Sequence, residues 1–400
     1  MDTQCLVVGA GAAGLAVSRR LADVGVEHLV LERHDVAHTW RSQRWDSFTL
    51  NTPDWMNDGL RPGADRGTTC PRDEVVQLLG KQAEGLPVRT RTAVTGVDSM
   101  PPGFRVSTPD GSLSARTVVL ASGLLNVPRM PAQAGRLAAR VQQLHTADYR
   151  SPTELADGAV LVVGGGQSGC QIAEDLARAG RVVYLSASRV GRIPWSYRGR
   201  ESLAWLVECG FWDQRPSDLP NPADARLPIP VLAGGRSLDL PILAGLGVHL
   251  LGHFSSADGE TVGFDGSPWE FAAYADTIAG RITDLMDRYI EEQGIAAPDP
   301  APERLRTGPV PSEAPRSVDL RAADVTTVIW STGFTGDLSW LHLPVLGADG
   351  LPEHDGCGSP WRGLWYVGFP WLTRRCSGIF HGFSRDAGAV VDAVLHELDR

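Results

Sequence analysis

The stretch Cys5-Leu6-Val7-Val8-Gly9-Ala10-Gly11-Ala12-Ala13-Gly14 stands near the start of the chain and decides its fold. Four apolar residues predict a buried strand, and the glycines after it predict a tight turn into a helix. Glycines with this spacing let the backbone turn, approach a pyrophosphate and pack the helix on the strand. We therefore expect Gly9, Gly11, Ala13 and Gly14 to bind a dinucleotide at the helix N-terminus.

A second copy of the pattern reads Val160-Leu161-Val162-Val163-Gly164-Gly165-Gly166-Gln167-Ser168-Gly169. It again places an apolar strand before the glycines and a helix-forming stretch after them. Contacts to the second dinucleotide are predicted at Gly164, Gly166, Gln167, Ser168 and Gly169. Two such units in one chain indicate that two dinucleotides bind at once. This arrangement favours electron transfer between a flavin and a nicotinamide.

An acidic residue follows the second strand of the first unit. The run from Val26 to Leu31 predicts this strand, which ends at Glu32, roughly 20 residues past the glycines. A carboxylate at this position hydrogen-bonds the ribose of an unphosphorylated adenosine, such as that of FAD. The alternative is a solvated carboxylate at a strand end.

The second unit differs at the same place. Its second strand ends in Ser186-Ala187-Ser188-Arg189, with Arg192 close behind and no carboxylate. A guanidinium binds a 2′-phosphate with two parallel hydrogen bonds, whereas a carboxylate would repel it. We therefore predict NADPH at this site, with Ser188, Arg189 and Arg192 near the phosphate. The alternative is two surface arginines in an arginine-rich chain.

Composition limits the partners of the protein. The 400 residues are 42% hydrophobic and 21% charged, with a net charge of −10, so we expect neither nucleic acid nor a membrane as partner. Because the first strand begins near Met1, a signal peptide is not expected and a cytoplasmic location is. The six cysteines form no Cys-x-x-Cys pair and lack zinc-site spacing, so neither a redox dithiol nor a metal centre is predicted.

The order of motifs predicts an α/β protein with two dinucleotide-binding, Rossmann-like domains and small β-meander elements. Residues 1–150 and 316–400 are predicted to form the FAD domain, and 151–315 the inserted NADPH domain. Residues 191–246, rich in Pro and Gly, are interpreted as a substrate-side insertion. Hairpins are expected around Pro109-Asp110-Gly111 and around Asp258-Gly259. A long amphipathic helix is expected from Glu270 to Gln293.

The segment from Trp40 to Trp55 combines aromatic and hydrogen-bonding residues, which suits a wall around a flat ring system. The alternative is a packed surface loop. Within it, Asn51 and Asp54 are candidates to hydrogen-bond the flavin edge, or else turn and cap residues on either side of Pro53.

At this point the sequence resembles the flavin-containing monooxygenases, in particular the bacterial flavoprotein branch of these class B enzymes. The resemblance covers almost the whole chain. Seven stretches carry it: Val7 to Gly14 with Glu32, Trp40 to Pro53, Val118 to Gly123, His145 to Tyr149, Gly164 to Leu176, Val328 to Phe334, and Gly363 to Asp386. It implies FAD held by an outer domain and NADPH held by an inserted one. Further cofactor contacts are expected at Arg33, Trp40, Arg41, Ser122, Gly123, Thr332, Gly333, Gly368 and Ser377.

Two departures from the family pattern bear on the reaction. Counting back from His145, a Phe and a Gly of the family's monooxygenase signature are replaced by Ala139 and Val141. Two glycines usual before Trp40 are replaced by Ala37 and His38. The first departure makes a Baeyer–Villiger reaction the less favoured alternative. The second concerns only the local shape of the loop.

The resemblance implies a monooxygenase that consumes NADPH and dioxygen and oxygenates a small organic substrate through a flavin hydroperoxide, with nitrogen or sulfur as the favoured target. Three alternatives stay open: a Baeyer–Villiger enzyme, an NADPH-dependent flavin reductase or oxidase, and a non-catalytic flavin-binding protein. His145 is a candidate general base or a linker histidine that orients the domains. Arg374 and Arg375 are candidates for an anionic substrate or for the flavin's ring oxygens, or else a solvated pair. A homodimer is one alternative for the oligomeric state.

Overall fold

In a computed structural model the chain is an α/β protein, as predicted, in which each glycine fingerprint opens its own parallel sheet. The structure describes residues 2–57, 59–61, 63, 65, 67–301 and 308–400. The proline-rich sequence from Ala296 to Pro315 predicts a link, and part of it lies outside the described residues.

The central strands of the two parallel sheets are short and largely apolar, as parallel strands covered on both faces tend to be. The strands of the chain are β1 Thr3–Val8, β2 His28–Leu31, β3 Val88–Arg89, β4 Gly96–Met100, β5 Gly103–Thr108, β6 Gly111–Leu120, β7 Val127–Pro128, β8 Gln142–His145, β9 Ala159–Val163, β10 Val183–Ser186, β11 Ser196–Tyr197, β12 Arg200–Glu201, β13 His249–Leu251, β14 His253–Asp258, β15 Thr261–Asp265, β16 Ser317–Asp319, β17 Val325–Trp330, β18 Phe334–Thr335 and β19 Leu364–Tyr366.

The α-helices cover these sheets or line the space between the chain segments. They are α1 Ala12–Asp23, α2 His38–Ser42, α3 Arg72–Ala83, α4 Gln167–Arg178, α5 Ser202–Glu208, α6 Leu240–Gly245, α7 Pro268–Glu292 and α8 Phe380–Leu398. Helix α7, the longest, begins at a Ser267 side chain that accepts a hydrogen bond from Trp269 N and stops just before Gly294, which has a φ of 60°. The expected helix from Glu270 to Gln293 is thus confirmed to within two residues.

The two parallel sheets share one strand order. The first runs β3-β2-β1-β6, and β19 pairs in parallel with the second half of β6. The second runs β13-β10-β9-β17-β8, and all its pairs are parallel. In both sheets the fingerprint strand lies at the centre and is buried: Leu6, Val7, Val160 and Val162 have no exposed surface. This placement puts both glycine turns at the carboxyl end of a sheet, where open α/β sheets bind ligands.

Antiparallel strands extend the first sheet and form a separate three-stranded sheet. β4, β5 and the first half of β6 form a meander, and β14, β15 and β16 form another. The hairpin expected around Asp258-Gly259 is confirmed, with Asp258 opposite Thr261. The residues from Val248 to Leu251, expected to belong to it, instead supply β13 of the second parallel sheet.

Sheet membership differs from the domain boundaries expected at 150 and 316. Strand β8, before residue 150, pairs with β17, and β17, after residue 316, pairs with β9. Both therefore belong to the second sheet. Long-range pairing places them there, whereas the sequence boundaries were drawn at local changes in composition.

Candidate functional site

The first glycine turn has a geometry that only glycine allows at two of its positions. Gly9 has a φ of 106°, and a Cβ there would lie 2.6 Å from the carbonyl oxygen of Ala121. A Cβ at Gly14 would lie 2.0 Å from the carbonyl oxygen of Gly9. By contrast, no atom lies within 4 Å of a Cβ built on Gly11. The turn is therefore packed tightly on the protein side and open on the side where a pyrophosphate would lie.

The open side faces one large cavity. It has a volume of about 2260 Å³ and lies at the carboxyl ends of β1, β2, β6 and β19. Sites for single drug-sized ligands measure roughly 300–1,000 Å³, so this cavity has room for more than one molecule. Several residues of the first unit predicted to contact a cofactor line it: Gly9, Gly11, Ala13, Glu32, Arg33, Trp40, Ser122, Gly123 and Gly368.

Glu32 is fixed at the edge of this cavity by backbone hydrogen bonds. Its carboxylate accepts Ala10 N at 2.8 Å and His34 N at 2.9 Å. A carboxylate oxygen has a second lone pair, so Glu32 retains acceptor capacity on the cavity side. This placement agrees with the ribose contact expected from the sequence.

Two polar atoms near the first turn are buried without a hydrogen-bond partner, namely Ser122 Oγ and Gln43 Oε1. Both residues line the cavity. Helix α1 also begins at Gly11 without a side-chain cap, so its first N–H groups are not used by a capping side chain. Buried polar groups without partners are rare in native proteins, and together these groups match the polar atoms of a nucleotide.

The aromatic segment is a cavity wall only in part. Trp40 lines the cavity, whereas Trp45 and Phe48 are buried behind it. The sequence reasoning missed Arg44, whose guanidinium carbon lies 5.4 Å from the Trp40 ring centroid and 5.7 Å from that of Phe48. Burial lowers the pKa of Arg44 to about 10, so it stays protonated at neutral pH. Arg41, also predicted to contact a cofactor, does not line the cavity.

The second glycine turn repeats the geometry of the first. Gly164 has a φ of 116°, and a Cβ on Gly169 would lie 1.8 Å from the carbonyl oxygen of Gly164. No atom lies within 4 Å of a Cβ built on Gly166, and α4 begins there without a side-chain cap. This turn therefore also leaves its open side to a phosphate group.

The two residues after Gly166 differ in their surroundings. The Gln167 amide bonds both backbone groups of Leu232, accepting Leu232 N at 3.0 Å and donating to Leu232 O. Gln167 therefore ties the 191–246 segment to α4 and is not directed at a nucleotide. Ser168 and Ser188 are both partly exposed.

The two arginines expected at the 2′-phosphate separate in space. Arg189 is exposed and lines the cavity. Arg192 is only 9% exposed, donates from Nε to Asp276 Oδ1 at 2.9 Å, and lies 3.8 Å from Asp239 Oδ2. Its guanidinium is thus committed to carboxylates of this chain. This placement favours a structural ion pair over the phosphate contact expected for Arg192.

None of the three predicted catalytic residues lines the cavity. Asn51 Oδ1 accepts Gln171 Nε2 at 2.7 Å, which connects the aromatic segment to α4. Asp54 is buried, and its Oδ2 accepts Arg61 Nη1 and Thr68 Oγ1, each at 2.8 Å. The Asp54 contacts join nearby residues of one loop, in agreement with the turn alternative stated for it, whereas the Asn51 contact joins two segments 120 residues apart.

His145 is the last residue of β8 and lies beside Trp330 of β17 in the second sheet. Its Nε2 is 2.9 Å from the Gly333 carbonyl oxygen, and its Nδ1 is 3.2 Å from Ala147 N. Burial lowers the pKa of His145, so the neutral ring is favoured, with Nε2 donating and Nδ1 accepting. Both ring nitrogens are therefore used by backbone groups just beyond β8 and β17, and the choice between general base and linker stays a prediction.

The remaining predicted cofactor contacts act mainly within the protein. Thr332 Oγ1 donates to the Arg129 carbonyl oxygen, and Gly333 has a φ of 80°. The buried Ser377 hydroxyl accepts the N–H groups of Thr373 and Arg374, each at 3.1 Å, so it closes a turn of the chain. Gly368 lines the cavity, and a Cβ there would lie 2.7 Å from Ala13 Cβ.

The far wall of the cavity comes from α7, from the 191–246 segment interpreted as a substrate-side insertion, and from the loop before α8. One face of α7 contributes Tyr274, Ile278, Arg281, Ile282, Leu285 and Arg288. The 191–246 segment contributes Ile193, Phe211, Trp212, Gln214 and a run of prolines, and the loop before α8 contributes Trp371 and Arg375. The helical periodicity of α7 predicted its apolar face but not the surface against which that face lies.

Among the residues that the structure describes, no group of histidine, cysteine or acidic side chains is arranged to hold a metal ion. The six cysteines are free thiols, and burial raises the pKa of Cys5 and Cys170 to about 12. Within the described ranges, none of the helices combines the length and apolarity needed to cross a bilayer.

Comparison with known proteins agrees with this geometry. Residues 6–203 match the family model described as pyridine nucleotide-disulphide oxidoreductase. A relative from Geobacillus kaustophilus (strain HTA426), described as an uncharacterized CzcO-like oxidoreductase, is 29% identical over 98% of both chains.

Two solved structures share the fold. A flavin-containing monooxygenase from Stenotrophomonas maltophilia is 21% identical, with 99% of both chains covered and a TM-score of 0.62. The structure of OTEMO in complex with FAD and NADP is 18% identical, with 99% of this chain and 86% of the other covered and a TM-score of 0.58. These similarities confirm the expected fold of two Rossmann-like units.

Proposed function

We propose that the chain is an FAD- and NADPH-dependent monooxygenase, a proposal supported by the match of residues 6–203 to the pyridine nucleotide-disulphide oxidoreductase model. The observation that carries this proposal is the pair of matching glycine turns, each open on one side, at the carboxyl ends of two equivalent sheets. The similar fold of a flavin-containing monooxygenase and of a complex with FAD and NADP supports it. The six free, non-adjacent cysteines do not favour disulfide reduction by a dithiol.

FAD would lie in the first turn. The N–H groups at the start of α1 would bind its pyrophosphate, and Glu32 would bind its ribose. Ser122 and Gln43 would supply hydrogen bonds from the cavity wall, since each has a buried oxygen without a partner. We assign to this unit the residues of the first sheet, up to β7 and again from β18 onwards.

NADPH would lie in the second turn, formed by residues 164–169. The N–H groups at the start of α4 would bind its pyrophosphate, and Arg189 would bind its 2′-phosphate. The missing carboxylate after β10 supports NADPH over NADH. We assign to this unit the chain from β8 to β17.

When bound, FAD supplies the redox chemistry, because it accepts hydride from NADPH and reduces dioxygen. The residues of this chain bind, orient and exclude water. The apolar and aromatic side chains of α7 and of the 191–246 segment enclose the far side of the cavity, where a small organic substrate would lie. Nitrogen or sulfur is the favoured target, because Ala139 and Val141 replace signature residues of the Baeyer–Villiger type.

The function is tested by the coupling of NADPH consumption to product. The purified flavoprotein is incubated with amines, thioethers and ketones in turn, while NADPH loss, product and hydrogen peroxide are measured together. We expect one class to accelerate NADPH loss and to yield more product than peroxide. Peroxide equal to NADPH consumed, across the whole panel, would instead identify an oxidase or reductase.

Arg189 tests the choice of coenzyme. In an Arg189→Ala variant we expect the KM for NADPH to rise about tenfold to a hundredfold, because a charge-assisted hydrogen bond contributes about 1.5–3 kcal/mol. The KM for NADH should change little, since NADH carries no 2′-phosphate. Arg178→Ala, which removes an exposed arginine that is paired with Glu174 on α4, is the matched control. Equal use of NADH and NADPH by the unaltered protein would contradict the assignment.

A further inference from the structure

Arg375 occupies an unusual position in the cavity wall. Its guanidinium carbon lies 4.1 Å from the Phe211 ring centroid and 4.6 Å from the Trp371 ring centroid. The planar cation is thus held between two aromatic faces, an arrangement that fixes its direction. Arg375, Phe211 and Trp371 all line the cavity.

No carboxylate of the described residues forms an ion pair with this cation. Its side chain makes one hydrogen bond, from Nη2 to Gln214 Oε1 at 2.8 Å, and its Nε is buried without a partner. The nearby carboxylate of Asp213 is occupied, because Arg374 lies 2.7 Å and Arg385 2.5 Å from its Oδ1. Burial lowers the pKa of Arg375 to about 10, which leaves it charged at neutral pH. Burying a charge without a counter-ion costs free energy, and a bound anion would offset that cost.

A second unused donor lies in the same wall. Trp212 is buried, lines the cavity, and its Nε1 has no hydrogen-bond partner. The Phe211 ring connects the two donors, since it contacts Trp212 edge-on at 5.2 Å between centroids and covers Arg375. Ile193 and Ile282 also line the cavity and belong to the same buried apolar cluster as Phe211 and Trp212. The structure thus combines buried donors with a flat, apolar surface.

We propose that Arg375 and Trp212 form a subsite for the carboxylate of the substrate, and that the substrate is a small aromatic or other flat, apolar carboxylic acid. Arg375 supplies the charge, Trp212 a further N–H, and Phe211 and Trp371 the aromatic contact surface. This inference rests on the proposed function, because it names the class of substrate that the same cavity would take. The proposal gives a ligand contact to Arg375 but none to Arg374, although the two adjacent arginines are equivalent candidates in the sequence.

The test is direct binding to the purified flavoprotein by isothermal titration calorimetry, without turnover. The probes are phenylacetate and phenylacetamide, which share one ring but differ in charge. We expect the acid to bind at least about tenfold more tightly than the amide, as for a charge-assisted hydrogen bond. In Arg375→Met the preference should vanish, and in Arg375→Lys part of it should remain because the cation is kept.

Two further variants keep the result interpretable if Arg375→Met does not fold. Trp212→Phe keeps the ring and removes only the N–H, so it should weaken acid binding severalfold and leave amide binding unchanged. Arg374→Gln removes the neighbouring charge outside the cavity and should leave the preference intact. Equal affinity for acid and amide in the unaltered protein would overturn the proposal. An Arg375→Met variant that loses its flavin but still binds the acid more tightly than the amide would also overturn the proposal.

Flavin content, read from absorbance in the same samples, separates this inference from the proposed function. Full flavin and NADPH oxidation without any acid preference would refute the subsite alone. Protein that binds no flavin under any condition, yet prefers the acid through Arg375, would refute the monooxygenase and leave the anion subsite standing.

Discussion

A Gly11→Leu variant is expected to purify folded but without bound flavin. The φ of Gly11 is −76°, which any residue adopts, and no atom lies within 4 Å of its Cβ position, so the protein itself tolerates a side chain there. The leucine would instead fill the space of the pyrophosphate. Overpacking costs roughly 1–3 kcal/mol even where neighbours can relax, so we expect the Kd for FAD to rise about 5-fold to 150-fold.

The second turn provides the matched control. Gly166 has a φ of −79° and the same open surroundings, so Gly166→Leu makes the same change in the other site. We expect it to keep its flavin and to lose reduction by NADPH. The measurements are flavin absorbance after gel filtration and the rate of anaerobic flavin reduction. A Gly11→Leu protein with full flavin content would refute the assignment of FAD to the first turn.

An Arg192→Ala variant is expected to lose stability rather than coenzyme preference. Its guanidinium lies between Asp276 and Asp239, and Asp239 is only 4% exposed. Removal of one partner from a buried ion pair costs about 3–5 kcal/mol, and the 38% exposure of Asp276 lowers the expected cost here to about 1–3 kcal/mol. The free energy of unfolding, measured in urea at a fixed FAD concentration, should fall by about that amount.

Arg321→Ala is the control for this effect. Arg321 also pairs with a carboxylate, that of Glu260, but its side chain is 72% exposed. Exposed ion pairs contribute about 0–1 kcal/mol, so the free energy of unfolding should barely change. Normal stability of Arg192→Ala, together with a raised KM for NADPH alone, would show that Arg192 does bind the 2′-phosphate.

Local patterns predicted most of the elements that hold the cofactor sites. Each glycine turn joins a strand to the helix that follows it directly, so its whole geometry lies within about ten residues of sequence. For the same reason the periodicity of α7 predicted its bounds closely. Glu32 could be placed at the cofactor site because it directly follows β2, the strand that pairs with β1. The predicted α/β fold was confirmed by a solved structure with a similar fold.

Contacts between distant segments could not be predicted in this way. Arg189 and Arg192 stand in one short segment, yet only Arg189 lines the cavity, because the partner of Arg192 lies 84 residues away on α7. Asn51 is a candidate for a flavin contact by its place in the sequence, but its side chain accepts a hydrogen bond from Gln171, 120 residues away. Residue type and spacing do not determine which polar side chain has a partner within the protein.

The sequence by itself therefore determined the two nucleotide-binding turns and the parallel sheets around them, since strands, tight turns and amphipathic helices follow from interactions between near neighbours. The tertiary structure alone decided which charged residues face the cavity. Arg374 and Arg375 are adjacent, but Asp213 pairs with the first, while Phe211 and Trp371 enclose the second and leave it without a counter-ion. The free energy of a charged group depends on everything that surrounds it in space, and that environment exists only once the chain has folded.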